Sequence, residues 1–176
     1  MQWDAVIEFP KMKVAVATRD VNGNPCVSGI RYLPPATDTK APVNELAERA
    51  VRQLERYRDD PDTKFDLPLL IEGTEFQRRV WDVMCAIPRG RTLTYGEVAR
   101  KLGDAAFDTA RIVGQACGDN KLPIVIPCHR VVGADGIGGF SHTASGVHRS
   151  TDGYLIDVKR WLLMHEARAD AFELRS

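Results

Sequence analysis

Position 128 of this 176-residue chain is a cysteine set between a proline and a histidine, in the string Ile126-Pro127-Cys128-His129-Arg130-Val131-Val132-Gly133. A thiol attacks as thiolate, and with a free-thiol pKa of about 8.5 it needs a base to take its proton at neutral pH. The imidazole of His129 is of the right type, directly or through a water, if its second ring nitrogen finds an acceptor that fixes the tautomer. Glu166, late in the last amphipathic stretch, is the candidate carboxylate. Adjacency in sequence is not adjacency of side chains, so a Cys-His pair alone leaves a structural role open. Cys26, Cys85 and Cys117 have no histidine neighbour and read as small buried hydrophobes. Four cysteines without a CxxC pair signal neither a disulfide framework nor a thiolate zinc site.

The elements that must position these groups fall into two parts. With 44% apolar and 27% charged residues the chain can bury a core, as one domain or two small ones. Nothing in it approaches the roughly 20 apolar residues of a membrane span, and its start shows no signal-peptide pattern, so an intracellular, soluble protein is expected. Residues 14–18 and 27–32 read as two strands of a hairpin around the turn-rich VNGNP. Residues 43–57 carry Val43, Leu46, Ala50, Leu54 and Tyr57 at helical spacing. Residues 58–72 have turn residues and no periodicity, which sets the boundary between a domain at 1–72 and one at 73–176. The expected fold class is α+β: a small N-terminal sheet or hairpin with a packed helix, then a mainly helical domain with a helix-turn-helix and an active-site turn.

Thr74-Glu75-Phe76-Gln77 and Thr94-Tyr95-Gly96-Glu97 both have the form of a capping box, so a helix should begin at each. The first buries Phe76, Val80, Trp81, Val83, Met84 and Ile87 and stops at Pro88; the second ends near Gly103. Asp108 or Thr109 can cap a third running to about Gly118, making a helix-turn-helix with the second. In the third helix Arg111 stands among small residues, which let a helix approach a groove, although Ala110, Gly114 and Ala116 equally suit a tightly packed neighbour. The formal net charge is zero, but residues 76–130 hold 9 Lys and Arg against 5 Asp and Glu, among them Arg78, Arg79, Arg89, Arg91, Arg100 and Arg111. Residues 121–127 read as an extended segment entering a sharp turn, 133–153 as a long surface loop, and Leu155, Val158, Trp161, Leu162 and His165 as the buried side of a closing helix.

The PCHRV string resembles the active-site signature of the O6-alkylguanine-DNA alkyltransferases, also called methylated-DNA–protein-cysteine methyltransferases. In order along the chain, GTEFQRRVWDVMCAIPRGRTLTYGEVARKLG is similar to the family's first helices, TARIVGQACGDNKLPIVIP to its recognition helix and hinge, and KRWLLMHE to its closing helix. The resemblance spans about 73–168; residues 1–72 match only in position and length. It implies DNA repair by irreversible, stoichiometric transfer of an alkyl group, chiefly methyl, from O6-alkylguanine in double-stranded DNA, and leaves O4-alkylthymine open as a second substrate.

By that resemblance Cys128 is the acceptor, His129 the water-mediated base and Glu166 its orienting carboxylate. Asn120 is the hinge asparagine, and Tyr95 crowds the target nucleotide's phosphate and lies by the bound guanine. Arg111 takes the place of the flipped base, with the recognition helix in the minor groove. Thr109, Ala110, Gly114, Tyr95 and Arg130 complete the DNA-facing set, and Val131, Phe140, Ser141 and His142 line the pocket. An extruded base explains the inventory, since SN2 transfer needs an exposed carbon and a stabilised leaving guanine. No cofactor is implied, and no metal: some relatives carry zinc in the N-terminal domain, but residues 1–72 hold only Cys26 and no histidine. A monomer acting in the cytoplasm, nucleoid-associated in a bacterium, is expected, with cooperativity on DNA left open.

Three departures stand out: Ile112 and Gln115 are bulky for a groove-facing helix, His142 and Thr143 follow Ser141 where a glycine pair is common and should narrow the pocket toward methyl, and the loop after Ser141 is long. Competing readings fare worse. A non-transferring lesion binder lacks the acceptor cysteine, a helix-turn-helix regulator leaves PCHRV unexplained, and a cysteine hydrolase needs an oxyanion hole that the sequence does not signal.

Overall fold

The structure, a computed structural model, describes residues 2–103, 109–134, 136–137 and 153–173. The chain divides into two compact units, Met1–Ile71 and Glu72–Ser176.

The first unit is an antiparallel meander of β1 (Ala5–Phe9), β2 (Met12–Val21) and β3 (Asn24–Leu33). Sequence periodicity picks out only the inner parts of β2 and β3. The extra strand, β1, is buried at every position but Glu8. A strand covered on both faces loses the alternation that marks it, and β1 is enclosed further by paired backbone bonds between Val6 and Lys40. Asn22 and Gly23, at φ 53° and 83°, form the β2–β3 turn in the left-handed conformations that match strand twist. Helix α1 (Glu45–Asp59) starts where the Asn44 side chain accepts the Ala47 N–H at 2.8 Å. It buries Ala47, Ala50, Val51, Leu54 and Tyr57. Val43, expected in that stripe, precedes the cap and is 58% exposed. The aperiodic stretch before the unit boundary is not free chain: Val27 N–H donates to Pro68 O at 2.8 Å and Leu70 N–H to Val27 O at 2.9 Å.

The second unit begins with α2 (Glu75–Cys85), and both sequence-predicted capping boxes form. Gln77 N–H donates to Thr74 Oγ1 at 3.1 Å and Thr74 N–H to Gln77 Oε1 at 3.0 Å; Glu97 and Thr94 repeat the exchange at the head of α3 (Tyr95–Lys101). Helix α4 (Thr109–Gly118) packs against α2 and α3, and the Trp81 indole N–H donates to Ala116 O at 2.9 Å. Asp108, the alternative cap, lies outside the described residues. The unforeseen element is a two-residue parallel ladder between β4 (Leu93–Thr94) and β5 (Val131–Val132), which brings the residues just before Tyr95 beside those just after the cysteine turn. The closing helix is α5 (Gly153–Glu173). Its buried stripe is Leu155, Val158, Lys159, Leu162 and Glu166; Trp161 and His165 are half-buried and stacked on one another, ring centroids 4.6 Å apart. Two charged residues on the inner face defeat a reading by hydrophobicity alone. No described helix is long and apolar enough to cross a membrane.

Candidate active site

Residues 121–127 are not extended. They form a string of turns folded around the side chain of Asn120, which is 2% exposed. Its amide donates to Ile126 O at 2.8 Å, and its carbonyl oxygen accepts Leu122 N–H at 2.9 Å. Ile126 N–H returns to Leu122 O at 2.8 Å, and Cys128 N–H donates to Ile126 O at 2.8 Å. A buried amide thus supplies the partners that a neighbouring strand would otherwise supply. The folding also holds Ile124 at φ 72°, where a β-branched residue costs about 1–2 kcal/mol. A short 3-10 turn, Cys128–Arg130, follows and runs into β5.

That turn sets His129 against α5. Its Nε2 lies 2.9 Å from Glu166 Oε1, with the two residues 0% and 1% exposed. Burial pushes the Glu166 carboxyl up, but the hydrogen bonds from His129 and Arg130 and the guanidinium charge win, and its pKa is held well below the usual carboxylate range. A carboxylate only accepts, so Nε2 carries the hydrogen and Nδ1 keeps its lone pair. Nδ1 is buried and has no hydrogen-bond partner among the described residues. Burial lowers the pKa of His129, against the pull of Glu166 and with the help of Arg130 and Lys159, so the ring rests neutral. Cys128 is 3% exposed rather than presented at the surface. Burial pushes its thiol up to about 11, with the Asn120 side-chain hydrogen bond and the Lys159 charge pulling the other way. The resting site is therefore thiol, neutral imidazole and carboxylate, and reaction at neutral pH depends on the base.

Glu166→Gln tests that charge state through stability. A group with a depressed folded pKa contributes stability that is full above its unfolded pKa, about 4.3, and is lost as pH falls toward the folded value. Removing one member of a buried ion pair costs about 3 kcal/mol. Urea unfolding should thus show a wild-type advantage of about that size at neutral pH that shrinks on acidification; an advantage independent of pH would contradict it.

Lys159 escaped the sequence reading. It is 0% exposed, donates to Val131 O at 2.9 Å and lies 6.0 Å from the centroid of the Tyr95 ring. Burial pulls its pKa down to about 8, with the neighbouring Cys128 and Cys117 opposing the shift. It was findable, because it stands seven residues before Glu166 and so on the same helix face. Burial pushes the Tyr95 phenol well above its ordinary value, so it stays a hydrogen-bond donor.

The groove-facing set needs correction. Thr109 is 2% exposed, and Ala116, also 2% exposed, packs inward. Gly114 is half-buried, and a Cβ there would meet the Tyr95 ring at 3.8 Å. The small residues thus serve helix packing, and the exposed face of α4 is Arg111, Ile112 and Gln115, with Ala110 half-buried. Arg130, expected at DNA, turns inward: Nε and Nη2 donate to the two Glu166 oxygens at 3.0 and 2.8 Å, and Nη1 to Ile87 O at 2.6 Å. A buried carboxylate outcompetes a solvated surface for a bidentate guanidinium. Val131 is buried, its carbonyl taken by Lys159. Phe140, Ser141 and His142 lie outside the described residues.

A buried thiol next in sequence to a buried imidazole–carboxylate pair, in the same unit as a helix pair that exposes Arg111, defines a candidate nucleophilic-cysteine site on a helix-pair scaffold. Residues 75–168 match the family described as 6-O-methylguanine DNA methyltransferase, DNA binding domain. A methylated-DNA–protein-cysteine methyltransferase of Methanosarcina acetivorans is 42% identical over 123 residues, 69% of this chain and 70% of that protein. One from Mycolicibacterium paratuberculosis is 51% identical over 87 residues, 49% of this chain; the match spans about half, 52%, of that relative's length. Among solved structures, the O6-methylguanine methyltransferase of Mycobacterium tuberculosis superposes with a TM-score of 0.71 at 32% identity, covering 93% of this chain and 91% of that one; its complex with DNA gives 0.68 at 35%, covering 93% and 91%. This chain belongs to the 6-O-methylguanine DNA methyltransferase family.

Proposed function

We propose that this protein repairs DNA by taking the alkyl group from O6 of guanine onto the sulfur of Cys128, once per molecule. The observation that carries the reading is the buried His129–Glu166 pair, 2.9 Å apart, which leaves an imidazole lone pair next in sequence to a buried thiol. The thiol proton passes to His129 Nδ1 through a water, and Glu166 stabilises the imidazolium. The sulfur attacks the O6-bound carbon; the C–S bond forms as the C–O bond breaks, and the electron pair stays with guanine. Tyr95, held protonated, donates a hydrogen bond to the leaving base, which regains a proton from the imidazolium through solvent. The thioether has no route back to thiol, so the reaction is stoichiometric.

A carbon inside a stacked duplex is out of reach of a sulfur 3% exposed, so the nucleotide must swing out. Arg111, exposed on α4, fills the gap from the minor groove. Ile112 and Gln115 flank it and take the place of Thr109 and Gly114 in the DNA-facing set. DNA as partner is supported by the DNA complex of the Mycobacterium tuberculosis relative. The protein works as a monomer in the cytoplasm, at the nucleoid if the cell is bacterial.

The test is intact mass after incubation with excess duplex containing O6-methylguanine. One adduct of about 14 Da, the methylene increment, is expected, and peptide mapping should place it on Cys128. An unmodified protein, or an adduct on another cysteine, would refute the reading.

A further inference from the structure

We propose that Arg130 is a positioning residue for the transfer reaction: by gripping both oxygens of Glu166 it holds the carboxylate so that His129 rests as a neutral base rather than as an imidazolium. The inference rests on the transfer reading above and deepens it. Its basis is geometric. Glu166 Oε1 is shared by His129 Nε2 at 2.9 Å and Arg130 Nε at 3.0 Å, and Oε2 is taken by Arg130 Nη2 at 2.8 Å. The third guanidinium arm is tied to Ile87 O, just past α2, at 2.6 Å, so the fork cannot swing away without breaking a partly buried bond. Arg130 thus fastens α5, the cysteine turn and the end of α2 at one point.

The consequence for charge follows from sharing. A buried carboxylate facing an imidazole alone draws a proton onto the ring and makes an ion pair, and an imidazolium has no lone pair left to accept the thiol's proton. With the guanidinium on the same oxygen, Glu166 is already neutralised and the ring gains less by charging. The other groups around the pair are few among the described residues. From α5 come Glu166 itself and Lys159, whose cation also disfavours imidazolium. From the turn comes the Cys128 thiol, and from the α2 side Cys85, near Arg130, and Arg89, which donates to the Glu166 main-chain carbonyl at 3.3 Å. Arg130 is the cation in direct contact with both carboxylate oxygens. Removing it favours the charged ring, so the pH at which the base is lost to protonation moves upward.

The experiment is single-turnover transfer from an O6-methylguanine duplex, with protein in excess, followed across pH for wild type, Arg130→Gln and Arg130→Lys. At about pH 6 Arg130→Gln should fall about tenfold or more below wild type, yet stay within about threefold at about pH 8.5, where both rings are neutral. Arg130→Lys keeps the charge and should follow the wild-type profile in shape. A loss by the same factor at every pH marks a merely structural role and overturns the assignment. So does weakened duplex affinity with an unmoved profile, which would make Arg130 a DNA contact. If the glutamine variant does not fold, the wild type still decides: the imidazole nitrogen shifts of His129 at about pH 7 should report a neutral ring with hydrogen on Nε2, and an imidazolium overturns the proposal. Failure of the wild type to form any Cys128 adduct sinks the transfer reading instead, and the nitrogen shifts then judge Arg130 separately.

Discussion

Cys128→Ala is expected to abolish alkyl transfer completely while leaving affinity for a lesion-containing duplex within about threefold of wild type, because the acceptor atom is lost and the DNA-facing residues are untouched. Transfer ends in a C–S bond, so nothing in the alanine variant can substitute for the sulfur. The described neighbours offer no replacement: Cys117 is buried, and burial together with Cys128 pushes its thiol well above the ordinary range. Cys85 lies on the outer side of α2, and its thiol too is raised, by partial desolvation and by the Asp82 carboxylate. The substitution removes one buried heavy atom, for which about 1 kcal/mol of stability is a fair expectation, so loss of activity will not be loss of fold. Single-turnover assay and duplex binding on the same preparation check both halves. Residual transfer would mean that the reactive sulfur had been misassigned.

Arg111→Ala is expected to slow repair in duplex DNA about 100-fold while changing the reaction with free O6-methylguanine by less than about twofold. The guanidinium stands exposed on the outer face of α4, whereas Cys128 is buried in the turn that follows Asn120. If the arginine occupies the space vacated by the swung-out base, the substituted protein meets the full cost of a gap in the stack, whereas a free base leaves no gap. Gln115→Ala, on the same exposed face, serves as control and should have a much smaller effect. Comparable slowing on both substrates would remove Arg111 from that role.

The site was legible where its chemistry is local. PCHRV marked a candidate thiol and imidazole, which the fold places in one buried turn, and the two Thr-x-x-Gln/Glu patterns announced helix starts that form as written, since a capping box needs only residues three apart. Glu166 was reachable as a carboxylate on the closing helix. What misled was composition read without burial. Small residues in α4 suggested a close approach to a groove, yet Thr109 and Ala116 turn inward and Gly114 lies against Tyr95. Arg130 was placed in the DNA-facing set, and the proline-flanked apolar run was read as an extended segment, where the structure has turns and an inward-facing guanidinium.

Sequence alone marked which groups are candidates to react and where α2 and α3 begin, because nucleophilicity, proton affinity and capping belong to residue types a few positions apart. Tertiary structure decided the rest: that the sulfur lies buried and needs its base, that Asn120 folds residues 121–127 into turns, that a two-residue ladder joins Thr94 to Val132, and that Lys159 and Arg130 face inward. Desolvation and shared hydrogen bonds between distant segments set those outcomes, and neither is a property of any stretch of chain read by itself.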